Sequence, residues 1–188
     1  MGILNFREEQ EYENVNRSNS QIDALSVNPY LVYVKNQGKV LEENNADEVF
    51  STASLAKLFT VLYTLENVDM DFKVRVGDEI YLAGQNSSLA GITEGVYTIR
   101  DLIKAAIVPS GNDAAYALAK ATLDEVKKRD IPPSELNDVF KAEIQKFLKN
   151  NGFDSTHLVD PAGYDEANTS NVNDILKAIN KLYIYKIK

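Results

Sequence analysis

The chain of 188 residues has no cysteine, which removes disulfides, thiolate metal sites and cysteine nucleophiles together. Histidine is nearly missing too: His157 stands alone and cannot build a multi-histidine zinc site. It would suffice for a Ser-His-Asp triad, but Thr156-His157-Leu158 reads as the setting of a hydrogen-bonded structural histidine. Positive charge is scarce, with 20 Lys+Arg against 28 Asp+Glu, and the net charge of -8 argues against a general nucleic-acid binder. Those carboxylates form no pair whose context marks glycosidase chemistry. No run approaches transmembrane length, and Met1-Gly2-Ile3-Leu4-Asn5-Phe6-Arg7-Glu8-Glu9 is neither a signal peptide nor, with Phe6 where Ser or Thr is needed, a myristoylation site. Repeats and low-complexity segments are absent as well. What remains is an ordinary globular composition, 44% hydrophobic and 26% charged, sized for one domain or a compact pair of lobes.

Within that composition one stretch organises the chain. From Phe50 to Leu65, the positions Leu55, Leu58, Phe59, Leu62 and Leu65 recur at the helical period, and Ala53, Ala56 and Val61 between them are small or apolar. The spacing predicts a helix buried nearly all round. Lys57 is its one charged side chain, and an ammonium so placed loses hydration, which lowers its pKa toward that of a general base. Ser54 lies three residues earlier, on the same face, with Cβ atoms roughly 5–6 Å apart. It also falls in the first helical turn, where unpaired N–H groups favour developing negative charge. A hydroxyl, a dry amine and an electropositive helix end together make a nucleophile. Ser-x-x-Lys alone is a common pattern, and buried lysines often extend to the surface instead.

The remaining elements follow in order. Residues 1–27 are polar and acidic and read as a loosely ordered lead-in. Tyr30–Val34, Asn36-Gln37-Gly38 and Lys39–Glu42 predict a β-hairpin, and Lys73–Leu82 predicts short strands. Gly84–Ser88 and Gly91–Gly95 read as loops. Thr98-Ile99-Arg100-Asp101 is a capping box opening a helix that Pro109 ends. Ser110-Gly111-Asn112-Asp113 then breaks the chain before a second apolar helix beginning at Ala114, so Ser110 and Asn112 are held between two helices as candidate site residues or as helix caps. Ser134 is expected to cap a helix stopped by Asn151-Gly152, and Ser170 to cap the last helix.

With both motifs in place the chain resembles the serine D-alanyl-D-alanine carboxypeptidases, low-molecular-mass penicillin-binding proteins related to class A β-lactamases. The likeness is carried by Ser54-Leu55-Ala56-Lys57, Pro109-Ser110-Gly111-Asn112-Asp113-Ala114-Ala115, Gly38-Lys39-Val40-Leu41, Val76-Gly77-Asp78-Glu79 and Asp160-Pro161-Ala162-Gly163, across roughly Pro29 to Leu182. The resemblance implies an α/β fold of the β-lactamase and penicillin-binding-protein type, a helical lobe packed on an antiparallel sheet, with residues 28–188 as a partial catalytic domain. It implies that Ser54 attacks the D-Ala-D-Ala bond of a peptidoglycan stem peptide and that Lys57 takes its proton. Ser110 would relay a proton to the leaving D-alanine, and Asn112 would bind the substrate amide and help hold Lys57. β-Lactams would acylate Ser54. No metal or organic cofactor and no nucleic acid is implied, and the location would be extracytoplasmic.

The family's third motif, Lys-Thr-Gly, is missing: no lysine here is followed by Ser or Thr and then Gly. The resemblance therefore leads us to expect a member truncated before that strand, lacking its C-terminal strands and one oxyanion donor, with activity reduced or lost in this form. Two other functions stay open. A β-lactamase would need a deacylating glutamate such as Glu166, which stands in an unlike Tyr164-Asp165-Glu166 context. A non-catalytic scaffold would keep the helical lobe to bind the wall or a partner.

Overall fold

The computed structural model describes residues 29–84 and 87–185, so the acidic lead-in read from residues 1–27 lies outside the described residues. The chain divides into two compact units, Met1–Ala46 and Asp47–Lys188. In the first, β1 (Tyr30–Val34) pairs antiparallel with β2 (Lys39–Asn44), and the register shifts between Val32 and Tyr33. The turn closes at Gly38, whose φ of 61° is left-handed and suits a residue without Cβ. The hairpin expected from the aromatic and β-branched run is thus present.

The second unit is built on α1 (Ala56–Asn67), with Ala56, Phe59 and Leu62 fully buried. Against it pack α2 (Ile99–Ile107), the alanine-rich α3 (Asn112–Lys127), α4 (Leu136–Asn150) and α5 (Val172–Ile184). Small side chains on α3, with Ala114, Ala115, Ala117 and Ala119 at 1% exposure or less, let two helix backbones approach closely. Phe153, in the loop after α4, meets Phe59 edge-on with ring centroids 5.2 Å apart, a favoured aromatic geometry. The predicted capping box is formed: Thr98 accepts from the Asp101 N–H and its hydroxyl donates to the Asp101 carboxylate.

Two short antiparallel pairs complete this unit. β3 (Phe50–Ser51) pairs with β6 (Thr169–Ser170), and β4 (Lys73–Val76) pairs with β5 (Gly95–Thr98). The chain is therefore α/β, as expected, with antiparallel strands throughout the described residues. Several local expectations need correction. The strand pattern of Lys73–Leu82 stops at Val76, and Asp78–Leu82 forms a 3-10 turn, with the buried Glu79 carboxylate accepting the Gly77 N–H. Its partner strand is Gly95–Thr98, four residues whose pattern was too short to separate from the loop before it. Ser134 caps nothing: it sits inside a 3-10 turn, Pro133–Glu135, that leads into α4. The last helix is capped by Asn171, whose side chain accepts the Asp174 N–H, while Ser170 is committed to β6. Among the described residues no helix is long and apolar enough to cross a membrane.

Candidate active site

Ser54 lies in a 3-10 turn, Ala53–Leu55, that runs directly into α1. This is tighter than the regular first turn expected from the pattern, but it keeps the hydroxyl at the helix's electropositive end. Ala53 holds a left-handed φ of 45°, which turns the chain out of the β3–β6 pair and into the helix. Ser54 is exposed and Leu55 is 41% exposed, so the apolar stripe begins later than the periodicity suggests. Lys57, one turn on, is 1% exposed. Burial lowers its pKa to about 8, against the opposing pull of the Asp160 carboxylate.

Three acceptors surround the Lys57 Nζ, and an ammonium has three protons to give. It donates to Ser54 Oγ at 2.9 Å, to Ser110 Oγ at 3.4 Å and to the Ala162 carbonyl at 2.9 Å. Ser110 Oγ in turn donates to Ser54 Oγ at 2.9 Å. Two hydroxyls and one amine, separated by 53 residues of sequence, therefore form a closed triangle. In its neutral form the amine can accept the Ser54 proton over the same short path, and Ser110 touches both groups.

Ser110 reaches this position because the break between α2 and α3 is shaped around it. Its own φ is 59°, left-handed for a residue with a Cβ. Gly111 follows, and a Cβ there would lie 2.6 Å from Ala90 Cβ and 2.7 Å from the Ala105 carbonyl oxygen. Gly111 is also the N-cap of α3 with no side-chain cap, so Ser110 is free of the capping duty that the sequence left open. Asn112 opens α3 at 5% exposure, with its N–H donated to the Ser88 carbonyl. No hydrogen bond joins its side chain to Lys57, whose three donors are already taken. Asp113 accepts the N–H groups of Ala90, Gly91 and Ile92 and so ties the loop before β5 to the start of α3.

One site component was not identified from the sequence. The loop 160–168 supplies the Ala162 carbonyl to Lys57 and the Pro161 carbonyl to the Thr60 hydroxyl. Gly163 has φ 75°, and a Cβ on it would fall 1.7 Å from the Ala53 carbonyl oxygen, so this loop is pressed against the turn that carries Ser54. The signal available was Asp160-Pro161-Ala162-Gly163, where a glycine follows a rigid proline, but backbone carbonyls leave no trace in residue type. His157 pairs its backbone with Thr169 and makes no hydrogen bond to Ser54 or Ser110. Glu166 is exposed on the same loop and is not among the partners of the triangle. Among the described residues no group of three or more His, Cys, Asp or Glu side chains is placed to hold a metal ion.

A family model described as D-alanyl-D-alanine carboxypeptidase matches residues 14–187. The D-alanyl-D-alanine carboxypeptidase DacF of Bacillus subtilis is 27% identical over 158 residues, which cover 81% of this chain and 38% of that protein. The D-alanyl-D-alanine carboxypeptidase DacC of Escherichia coli is 36% identical over 92 residues, or 44% of this chain and 23% of that one. Among solved structures, the Streptomyces K15 DD-transpeptidase superposes with a TM-score of 0.72 at 26% identity, covering 84% of this chain and 60% of its own. The chain thus spans well under half the length of these curated relatives and about three fifths of that structure.

Proposed function

Because the chain belongs to the D-alanyl-D-alanine carboxypeptidase family, we propose that Ser54 is an acyl-accepting nucleophile toward peptides ending in D-Ala-D-Ala and toward the β-lactams that mimic them. The observation that carries this reading is the triangle of Ser54, Lys57 and Ser110, closed at 2.9, 3.4 and 2.9 Å around an amine that is 1% exposed. The neutral Lys57 amine takes the Ser54 proton as Oγ bonds to the substrate carbonyl carbon. The tetrahedral adduct then expels the terminal D-alanine, whose nitrogen receives a proton from Ser110 while Ser110 is resupplied by the Lys57 ammonium. Water, deprotonated by the regenerated base, releases the acyl group and restores Ser54. Asn112, at the mouth of the α2–α3 break, is assigned to the substrate's backbone amide. An extracytoplasmic location is part of the same proposal, since the substrate is wall peptide.

The 188 residues hold no Lys-Ser/Thr-Gly sequence, so neither the cation for the substrate carboxylate nor that strand's oxyanion donor is available from them. Loss of one such donor costs about 10²–10³ in rate, and slow acylation is expected from this chain. The decisive experiment is incubation with a fluorescent penicillin followed by intact-mass and peptide mapping. A persistent covalent adduct on Ser54, absent in Ser54→Ala, is expected. Rapid turnover of a chromogenic cephalosporin without an adduct would assign a β-lactamase instead. No adduct at saturating drug over many hours would leave a non-catalytic scaffold.

A further inference from the structure

The least explained feature of the site is the Asp160 carboxylate, 4% exposed and yet not paired with any cation by a hydrogen bond. Its Oδ1 accepts the N–H groups of Ala162 and Gly163 at 2.8 Å and of Tyr164 at 3.2 Å. Its Oδ2 accepts the Asp165 N–H at 2.8 Å and the Asn168 side-chain amide at 2.6 Å. Five donors therefore converge on one side chain and wind the loop 160–168 around it. Asn168, fully buried, closes the ring by accepting the Val159 and Asp160 N–H groups and by offering its backbone carbonyl to Thr52. The ring thus bonds through Thr52 to the segment leading into Ser54 and itself carries the carbonyl that meets Lys57.

We propose that Asp160 is a positioning residue for Lys57: its ring of amides presents the Ala162 carbonyl to the amine, and its buried negative charge sets how tightly the amine keeps its proton. The proposal rests on Lys57 being the base of the reaction proposed above. A neutral asparagine would keep Oδ1 for the three amides of residues 162–164 but turn an NH2 donor toward the Asp165 N–H and the Asn168 side-chain amide. The carboxylate adds a field that acts on Lys57 and opposes the effect of burial. Tyr116, buried on α3, feels the charge of Asp160 together with Asp165 and Tyr164 on the loop itself. Tyr116 is pushed up to about 12 by burial first and by Asp160 next, so it stays neutral across the working range. Asp160 therefore acts as a brake: it raises the pH at which Lys57 becomes free to accept the Ser54 proton.

The test follows the Lys57 side chain directly, by carbon-13 NMR on the lysine-labelled full chain, with its signal assigned by loss in Lys57→Met. The wild-type titration is expected near 8. In Asp160→Asn, which keeps the Oδ1 acceptor for the Ala162, Gly163 and Tyr164 amides and removes the charge, the midpoint is expected to fall by about one unit. An unchanged midpoint in the folded variant overturns the proposal. Should Asp160→Asn fail to fold, the exchange variant Asp160→Asn with Asn168→Asp restores a carboxylate to the ring at a different position. A lowered midpoint there supports the assignment, and an unchanged midpoint overturns it. Failure of both to fold overturns it too, since the carboxylate is then needed for the loop alone. The penicillin-labelling rate of the same proteins is recorded against pH. If wild-type Ser54 is never labelled, the catalytic reading fails, whereas the lysine titration still decides the role of Asp160.

Discussion

Two glycines with the same φ provide a controlled test of how closely the loop 160–168 is pressed against the turn that carries Ser54. Gly91 and Gly163 both have φ 75°, so replacing either by alanine forces a side chain into the left-handed region at about 1–2 kcal/mol. They differ in surroundings. Nothing lies within 4 Å of a Cβ at Gly91, whereas a Cβ at Gly163 would sit 1.7 Å from the Ala53 carbonyl oxygen, 2.5 Å from its carbon and 3.0 Å from Ala56 Cβ. The atoms that must yield at Gly163 are backbone, so the loop and the Ser54 turn must part by more than 1 Å for an ordinary contact. Forced repacking of that kind costs about 1–3 kcal/mol beyond the conformational strain.

Gly163→Ala should therefore lose about 2–5 kcal/mol and Gly91→Ala about 1–2 kcal/mol, out of the roughly 5–15 kcal/mol that holds a typical domain together. For a chain of this length the corresponding falls in Tm are about 10 °C and about 5 °C. Urea titration with matched thermal melts measures both. Since Ala162 precedes Gly163, parting the two segments also draws the carbonyl from Lys57, and penicillin labelling should slow in Gly163→Ala alone. Equal losses of stability at the two positions would refute the tight apposition, and with it the idea that this loop helps hold Lys57.

Lys57→Met should abolish the adduct or slow it by about 10²–10⁴ while changing Tm at neutral pH by only a few degrees. The buried ammonium's desolvation is relieved as the Ala162 carbonyl loses its donor, and intact-mass kinetics beside calorimetry would check both halves. The same variant isolates a pH effect. Lys57 falls from 10.5 in the open chain to about 8 in the fold, so between those values the unfolded state binds more protons and stability rises with pH. Wild type minus Lys57→Met should gain up to about 3 kcal/mol from pH 8 to pH 10.5 in urea melts, and a flat difference would refute the depressed value. Acylation should likewise climb with pH through about 8. Asp113→Ala removes the acceptor of three loop N–H groups and should cost about 2–4 kcal/mol, with limited proteolysis opening first between Ser88 and Ile92.

What the sequence could reveal followed from local rules. The i to i+3 spacing brings Ser54 and Lys57 together whatever the rest of the chain does, and the apolar period around them forecasts the buried amine. The Thr98 capping box is likewise a four-residue matter and was legible. Ser110 was legible as a residue held in a break between two helices, but its bond to Ser54 depends on how α1 and α3 pack, which no window of sequence encodes. The errors also share a cause. Ser134 carries the residue type of a cap, yet it was claimed by a 3-10 turn, whereas the cap expected around Ser170 falls one residue on, at Asn171. The Gly95–Thr98 strand needs a partner some 20 residues away, and its four residues alternate too briefly to announce it. The carbonyl of Ala162 was beyond reach altogether, because every residue has one.

The backbone of the site shows why such a pocket is built from distant pieces. A lysine one turn from a serine ordinarily stays charged, since water solvates it better than any base-forming arrangement can. Here burial drives the proton off while three acceptors and the Asp160 field hold it on, and the balance lies near 8. Neither force can be supplied by α1 alone. Lys57 is 1% exposed on a helix against which the other helices pack, and two of its three acceptors come from the α2–α3 break and the loop 160–168. Assembling them strains the chain at both hydroxyls. Ala53, beside Ser54, and Ser110 itself hold left-handed conformations that cost about 1–2 kcal/mol each. At Ser110 the strain has no cheaper substitute, for glycine would accept the turn but carry no hydroxyl to Ser54. The stability given up at these positions is what keeps two alcohols and one amine in contact.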